Sequence, residues 1–280
     1  MNMSYEKAMV LLTEQYCRIF QEEKHPSNAW KILDKEVRPA IPFVGKEYFE
    51  QPEGQRVLVY ASAENLTWCG DHNPDYLYYC ELDGMLRCRK NFEEQGKDKE
   101  NDEEFPNVHI QPFRDGGLLI ATNRIMKNLF HKEYDELPRK FIERICCSNY
   151  GKFTILTDKV NKDYASNKAM LQYSQPYVKA DIDILNPDII ILPKSMYRKG
   201  GQEEFLCEVA KEKKKIEIMQ INPTNVNCHI FNNDKSKAGI YDQIQLTEME
   251  EKWKYKLRGF NLEKIMSVYD YIDNDVCGKQ

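Results

Sequence analysis

The chain has 280 residues and a net charge of −5, with 41% hydrophobic and 30% charged positions. That length and balance fit one large globular domain or two small ones, and they exclude a disordered chain and a surface that coats nucleic acid throughout. A local basic channel stays compatible with the acidic total.

The first residues hold only the short apolar run Ala8–Leu12, between Lys7 and Glu14. No stretch approaches the roughly 18 consecutive apolar residues of a membrane helix, so neither a signal peptide nor a membrane span is expected. The nine cysteines are odd in number and often lie in apolar segments, as Cys146 and Cys147 do. They point to reduced thiols in a cytoplasmic protein rather than to a disulfide framework.

Met9, Leu12, Tyr16, Ile19 and Phe20 are spaced like one helix face and predict a helix over 4–23, with Ser4 as N-cap and Lys7 at the capping-box position. A second helix is expected over 28–38, opened by Ser27 and stopped by Pro39. The proline-punctuated stretch that follows leads into "RVLVYASAEN" (56–65), an unbroken apolar run released into small polar residues, which reads as a buried strand. The charged stretch 81–105 reads as a solvated loop.

A helix follows over 116–131, with a broad apolar face that includes Leu118, Ile125 and Leu129. "FIERICCSNYGKFTI" (141–155) is the second strand candidate, breaking at Ser148–Gly151. A helix over 163–184 is interrupted or kinked by Pro176. "PDIIILPKS" (187–195) is the third strand, 201–211 a helix, and "KKIEIMQINPTN" the fourth strand. The C-terminal stretch reads as two helices separated near Gly259.

Strands alternating with helices predict an α/β domain with a parallel sheet, and such sheets gather ligands at the carboxyl ends of their strands. The four strands end in "ASAENLTW" (61–68), "SNYGK" (148–152), "PKSMYRKGG" (193–201) and "NPTNVN" (222–227). Taken singly, each cluster is an ordinary turn former. Together they place several asparagines at one edge, and an amide both donates and accepts, as the edge of a heterocyclic base requires.

This order of elements, "VLVYASAEN", "RICCSNYGK", "NPDIIILP" and "IEIMQINPTNVN", resembles the uracil-DNA glycosylase superfamily over roughly residues 40–230. The resemblance implies a three-layer sandwich with a central four-stranded, mainly parallel sheet, DNA or a nucleotide as partner, and no cofactor. It also leads to the expectation that the fourth strand ends beside the first. In that superfamily the first strand runs into a Gly-x-Asp-Pro-Tyr or Gly-x-Asn-Pro loop, and the fourth ends in His-Pro-Ser.

Here Ala61 stands at the glycine, Ala63 at the water-activating acid, Glu64 at the proline and Asn65 at the stacking tyrosine. Asn222-Pro223-Thr224 replaces His-Pro-Ser, while Asn149 corresponds to the asparagine that reads the base edge. The recognition element is therefore expected to survive with both chemical motifs altered. Excision would need a flipped base, a donor aimed at its carbonyl and a placed water. Asn222 is the candidate donor, and Glu64 is the candidate activator if a one-residue shift turns it inward.

Ser62, Asn65, Asn149, Thr224 and Asn225 are the expected base or phosphate contacts. Lys194, Arg198 and Lys199 surround Tyr197 and are suited to a phosphate backbone with a stacked base, although a solvated loop is an equal reading. Cys69, His72, Cys80 and Cys88 form a weak zinc pattern, and no metal is expected.

The expectation is one α/β domain, with N-terminal helices over 1–40, a core over 41–230 and C-terminal helices over 231–280. Two alternatives remain: a nucleotide or nucleic-acid binding protein that does not cleave, or an unrelated small-molecule α/β enzyme with Glu64 as base.

Overall fold

The computed structural model describes residues 3–22, 31–32, 35–36, 39, 41–63, 112–130, 143–152, 168–213, 216–221, 270 and 272–278, with backbone alone at 31–32, 35–36, 62–63, 112–120 and 195. Helix α1 spans Tyr5–Glu22 and starts as its sequence predicts: the Ser4 hydroxyl accepts from Lys7 N at 3.3 Å, and the Ser4 carbonyl accepts from Ala8 N at 3.0 Å. It buries Ala8, Met9, Leu12, Tyr16, Ile19 and Phe20 along one face.

The helix expected over 28–38 is corrected. Two short strands occupy its centre, β1 (Lys31–Ile32) and β2 (Lys35–Glu36), paired antiparallel with Lys31 opposite Glu36. An isolated helix of this length is marginal in water, so its local propensity is readily overridden.

The main sheet is built from β3 (Phe43–Val44), β4 (Val57–Ala63), β5 (Cys146–Gly151), β6 (Ile189–Pro193) and β7 (Glu217–Ile221), in the order β3-β5-β4-β6-β7. The expected four-stranded sheet therefore becomes five-stranded and mixed. The four strands read from the sequence form its continuous parallel part, and β3 adds an antiparallel edge through Phe43 opposite Cys147 and Val44 opposite Cys146. Two residues of strand leave too short an apolar run for periodicity to reveal.

A second correction concerns adjacency. β7 pairs with β6, so the fourth parallel strand does not end beside the first but lies two strand spacings away, about 10 Å.

Helix α2 (Pro112–Phe130) lies between β4 and β5 in the chain, and α3 (Lys168–Leu185) between β5 and β6. The single turn α4 (Lys194–Tyr197) and α5 (Gln202–Glu212) connect β6 to β7. α1, α3 and α5 cover one face of the sheet, packing on Leu58, Tyr60, Cys146, Tyr150, Ile190 and Leu192. α2 and a π-helical turn over Ile272–Cys277 cover the other, on Val57, Val59, Cys147, Ile189, Ile191, Met219 and Ile221.

Odd and even strand positions thus feed opposite cores, which explains why β6 is apolar at every position. α3 runs through Pro176 and ends at Asn186, whose φ of 46° is a left-handed terminus; its N–H donates to Ile182 O at 2.9 Å. None of the described helices is long and apolar enough to cross a membrane.

The turn at 272–277 is held to α2 by Asp273, which accepts from Arg124 Nε and Asn128 Nδ2 at 2.7 Å each. Burial pushes this carboxyl up, but hydrogen bonds from Arg124 and Asn128 outweigh burial and hold it below the ordinary value. A lowered folded pKa makes this stabilisation complete above the ordinary carboxylate value and removes it as pH falls through the lowered one. Amide chemical shifts of residues 272–277 followed on acidification are expected to move together there, and Asp273→Asn to abolish that transition.

Candidate functional site

β4 and β6 are braced at their amino ends and parted at their carboxyl ends. The brace is Asp188, whose Oδ2 accepts from Gly54 N and Arg56 N at 3.0 Å each and from Arg56 Nε at 3.2 Å. Arg56 O in turn accepts from Asp188 N at 2.8 Å and Ile189 N at 3.1 Å. Pairing between the two strands then runs only from Val57 opposite Ile189 to Val59 opposite Ile191.

Their other partners continue further: β4 follows β5 to Ala63 opposite Gly151, and β6 follows β7 to Pro193 opposite Ile221. The next described helix after β4, α2, packs on one face, whereas α4 and α5, which follow β6, pack on the other. That reversal is the topological switch point of an open α/β sheet, where ligand crevices form.

The sequence-predicted residues distribute around this end unevenly. Asn149 lies on β5 opposite Ala61, half-buried, on the α2 face by its alternation with Cys147. Its surroundings in the register are small, with Ala61 directly opposite and Gly151 two residues on, opposite Ala63. Ser62 lies in the last turn of pleat of β4. Lys194 begins α4 directly after β6 and is half-buried, Lys199 is half-buried and Arg198 is exposed.

Tyr197 is a correction. Its ring is buried in the core, and its hydroxyl lies 3.4 Å from Cys207 Sγ, a contact that, with burial, pushes the hydroxyl above its ordinary value. A ring held this way does not stack on a ligand. Glu64, Asn65, Asn222, Thr224 and Asn225 lie outside the described residues, as do Cys69, His72, Cys80 and Cys88. Among the described residues no group of acidic, cysteine or histidine side chains is arranged to hold a metal.

A cluster that the sequence reading missed sits beneath the same strand ends, on the opposite face from Asn149. Lys152 and Asp181 form an ion pair of 2.6 Å, both with side chains 0% exposed. Asp181 also accepts from Tyr16 OH at 2.6 Å and Tyr60 OH at 2.9 Å, and Lys152 Nζ donates to Ser148 Oγ at 2.5 Å.

The Lys152 ammonium lies 5.6 Å from the centre of the Tyr16 ring and 5.3 Å from that of Tyr60, close enough for cation–π attraction. Its main-chain N–H donates to Ser174 Oγ at 2.9 Å. Next to it, Tyr150 OH donates to Gln202 Oε1 at 2.8 Å. Burial pushes the Asp181 carboxyl up, opposed by Lys152 and the two tyrosine hydroxyls. Burial also raises both tyrosines well above their ordinary value, which keeps them protonated donors.

Three donors from α1, β4 and the end of β5 thus converge on one carboxylate of α3. Each buried charge has a partner, as burial requires. Lys152 is engaged by Asp181 and gives Ser148 a hydrogen bond rather than taking its proton, so the cluster is not arranged as a nucleophile and base.

No family model, curated protein or solved structure matches this chain.

Proposed function

We propose that the crevice at the carboxyl ends of β4 and β6 receives a nucleic-acid base, with the Asn149 amide reading its edge. The observation that carries this reading is the parting of β4 from β6 at the switch point, one strand away from Asn149. Lys194, Arg198 and Lys199 follow β6 and offer positive charge for a phosphate backbone. Asn149 is proposed here from its own place on β5, since the expectation attached to the resemblance to uracil-DNA glycosylases, that the fourth strand ends beside the first, is not met.

Excision would further require Glu64 and Asn222 to act as water activator and donor. Ala63, at the position of the family's acid, favours recognition without cleavage.

Fluorescence anisotropy with labelled single-stranded oligonucleotides, with and without uracil, tests the reading. Affinity is expected to fall with salt, and the Lys194→Ala/Arg198→Ala/Lys199→Ala protein to show a slope smaller by about 2, near 0.7 for each lost phosphate contact. Asn149→Ala should weaken preference between bases by roughly tenfold, the worth of one good base contact, while leaving the salt slope intact. Salt-independent binding, or none, sinks the nucleic-acid reading and favours a small-molecule ligand. Abasic product would establish excision.

A further inference from the structure

The buried ion pair reaches the candidate base-reading residue through a continuous chain of hydrogen bonds. Asp181 Oδ2 holds Lys152 Nζ at 2.6 Å, Lys152 Nζ donates to Ser148 Oγ at 2.5 Å, and Ser148 Oγ donates to the main-chain oxygen of Asn149 at 3.4 Å. The residues flanking Asn149 are anchored on the same face, Ser148 by Lys152 and Tyr150 by Gln202.

Asn149 itself alternates to the other face, the one covered by α2. The strand end that carries it is also tied to α3 through Lys152 N and Ser174 Oγ.

We propose that Lys152, Asp181 and Ser148 are positioning residues for Asn149: the buried pair holds the end of β5 so that the amide presents one orientation to a ligand. The ligand half of this inference rests on the base-recognition reading above, and the orientation half does not. A site held by packed, hydrogen-bonded neighbours keeps its geometry without reorganising when the ligand arrives. An apolar replacement of the pair would fill the same volume and keep the fold, but would supply no donor to Ser148.

That difference separates positioning from mere stability. In the Lys152→Met/Asp181→Leu protein the Tyr16 and Tyr60 hydroxyls lose their acceptor, so the thermal midpoint is expected to fall, but less than in Asp181→Ala, where the ammonium is stranded as well. The Asn149 side-chain NH₂ resonances, assigned by their loss in Asn149→Ala, are expected to broaden or split. Affinity for a uracil-containing single-stranded oligonucleotide should fall at least fivefold.

Ser148→Ala removes only the relay hydroxyl, so it provides the same readouts should the double variant fail to fold; a smaller loss, about two- to fivefold, is expected. Unchanged Asn149 resonances in the variants that fold would overturn the proposal. Altered resonances with unchanged oligonucleotide affinity would overturn its ligand half. If the parent binds no oligonucleotide, the base-recognition reading fails, and the resonances alone decide whether the pair positions Asn149.

Discussion

Asp181→Ala is expected to destabilise the protein by about 3–5 kcal/mol, the cost of leaving a buried charge unpaired. Asp181 collects Lys152, Tyr16 and Tyr60, so removing it strands an ammonium and two hydroxyls inside the core together. Urea unfolding followed by tyrosine fluorescence or circular dichroism measures the loss as a shift in midpoint at constant slope.

The graded variants are informative beside it. Tyr16→Phe or Tyr60→Phe deletes one donor to a charged acceptor and should cost about 1.5–3 kcal/mol. Replacing both charges by apolar residues of similar volume should cost less than deleting Asp181 alone, because no ammonium is then stranded, although the two hydroxyls still are. An Asp181→Ala protein as stable as the parent would show that the ion pair is not formed.

Ile190→Ala is expected to cost about 2–5 kcal/mol, with Ile190→Val costing about 0.5–1.5 kcal/mol. Ile190 is the second residue of β6, opposite Leu58 on one side and Ile218 on the other, and is 1% exposed. Its face packs against α1, α3 and α5, so the methyl groups removed leave a cavity bounded by helices that cannot all collapse at once. Ile218→Ala, on the partly buried edge strand β7, should cost less by the same measurement. Equal losses at the two positions would contradict the placement of β6 in the sheet interior.

Much of the fold is legible because burial leaves a period in the sequence. α1 announces itself through Met9, Leu12, Tyr16 and Ile19, and β6 through four consecutive apolar residues between prolines. β3 is not legible, since two residues carry no period, and neither are β1 and β2.

The candidate site divides in the same way. In the sequence Asn149 reads as part of a break after the second strand, but Ser148–Gly151 lie inside β5, with Asn149 paired opposite Ala61. The Lys152–Asp181 pair was not legible, although one signal was available: Asp181 falls on the apolar stripe of α3 with Tyr177, Val178, Ile182 and Leu185. An acidic residue on a buried stripe requires a partner, but the partner lies 29 positions earlier, and no spacing rule reaches that far. Tyr197 failed in the opposite sense, because an aromatic beside three basic residues has the composition of a nucleic-acid contact whether its ring faces outward or inward.

By itself, then, the sequence determined the α/β class and the four parallel strands, because local periodicity acts over a few residues, although β5 runs through the Ser148–Gly151 break expected of it. Only the tertiary structure decided the order β3-β5-β4-β6-β7, the parting of β4 from β6 and the meeting of α1, α3, β4 and β5 around one carboxylate. Those outcomes depend on which faces are buried against each other across long separations, and crossover connections leave that choice open until the helices pack.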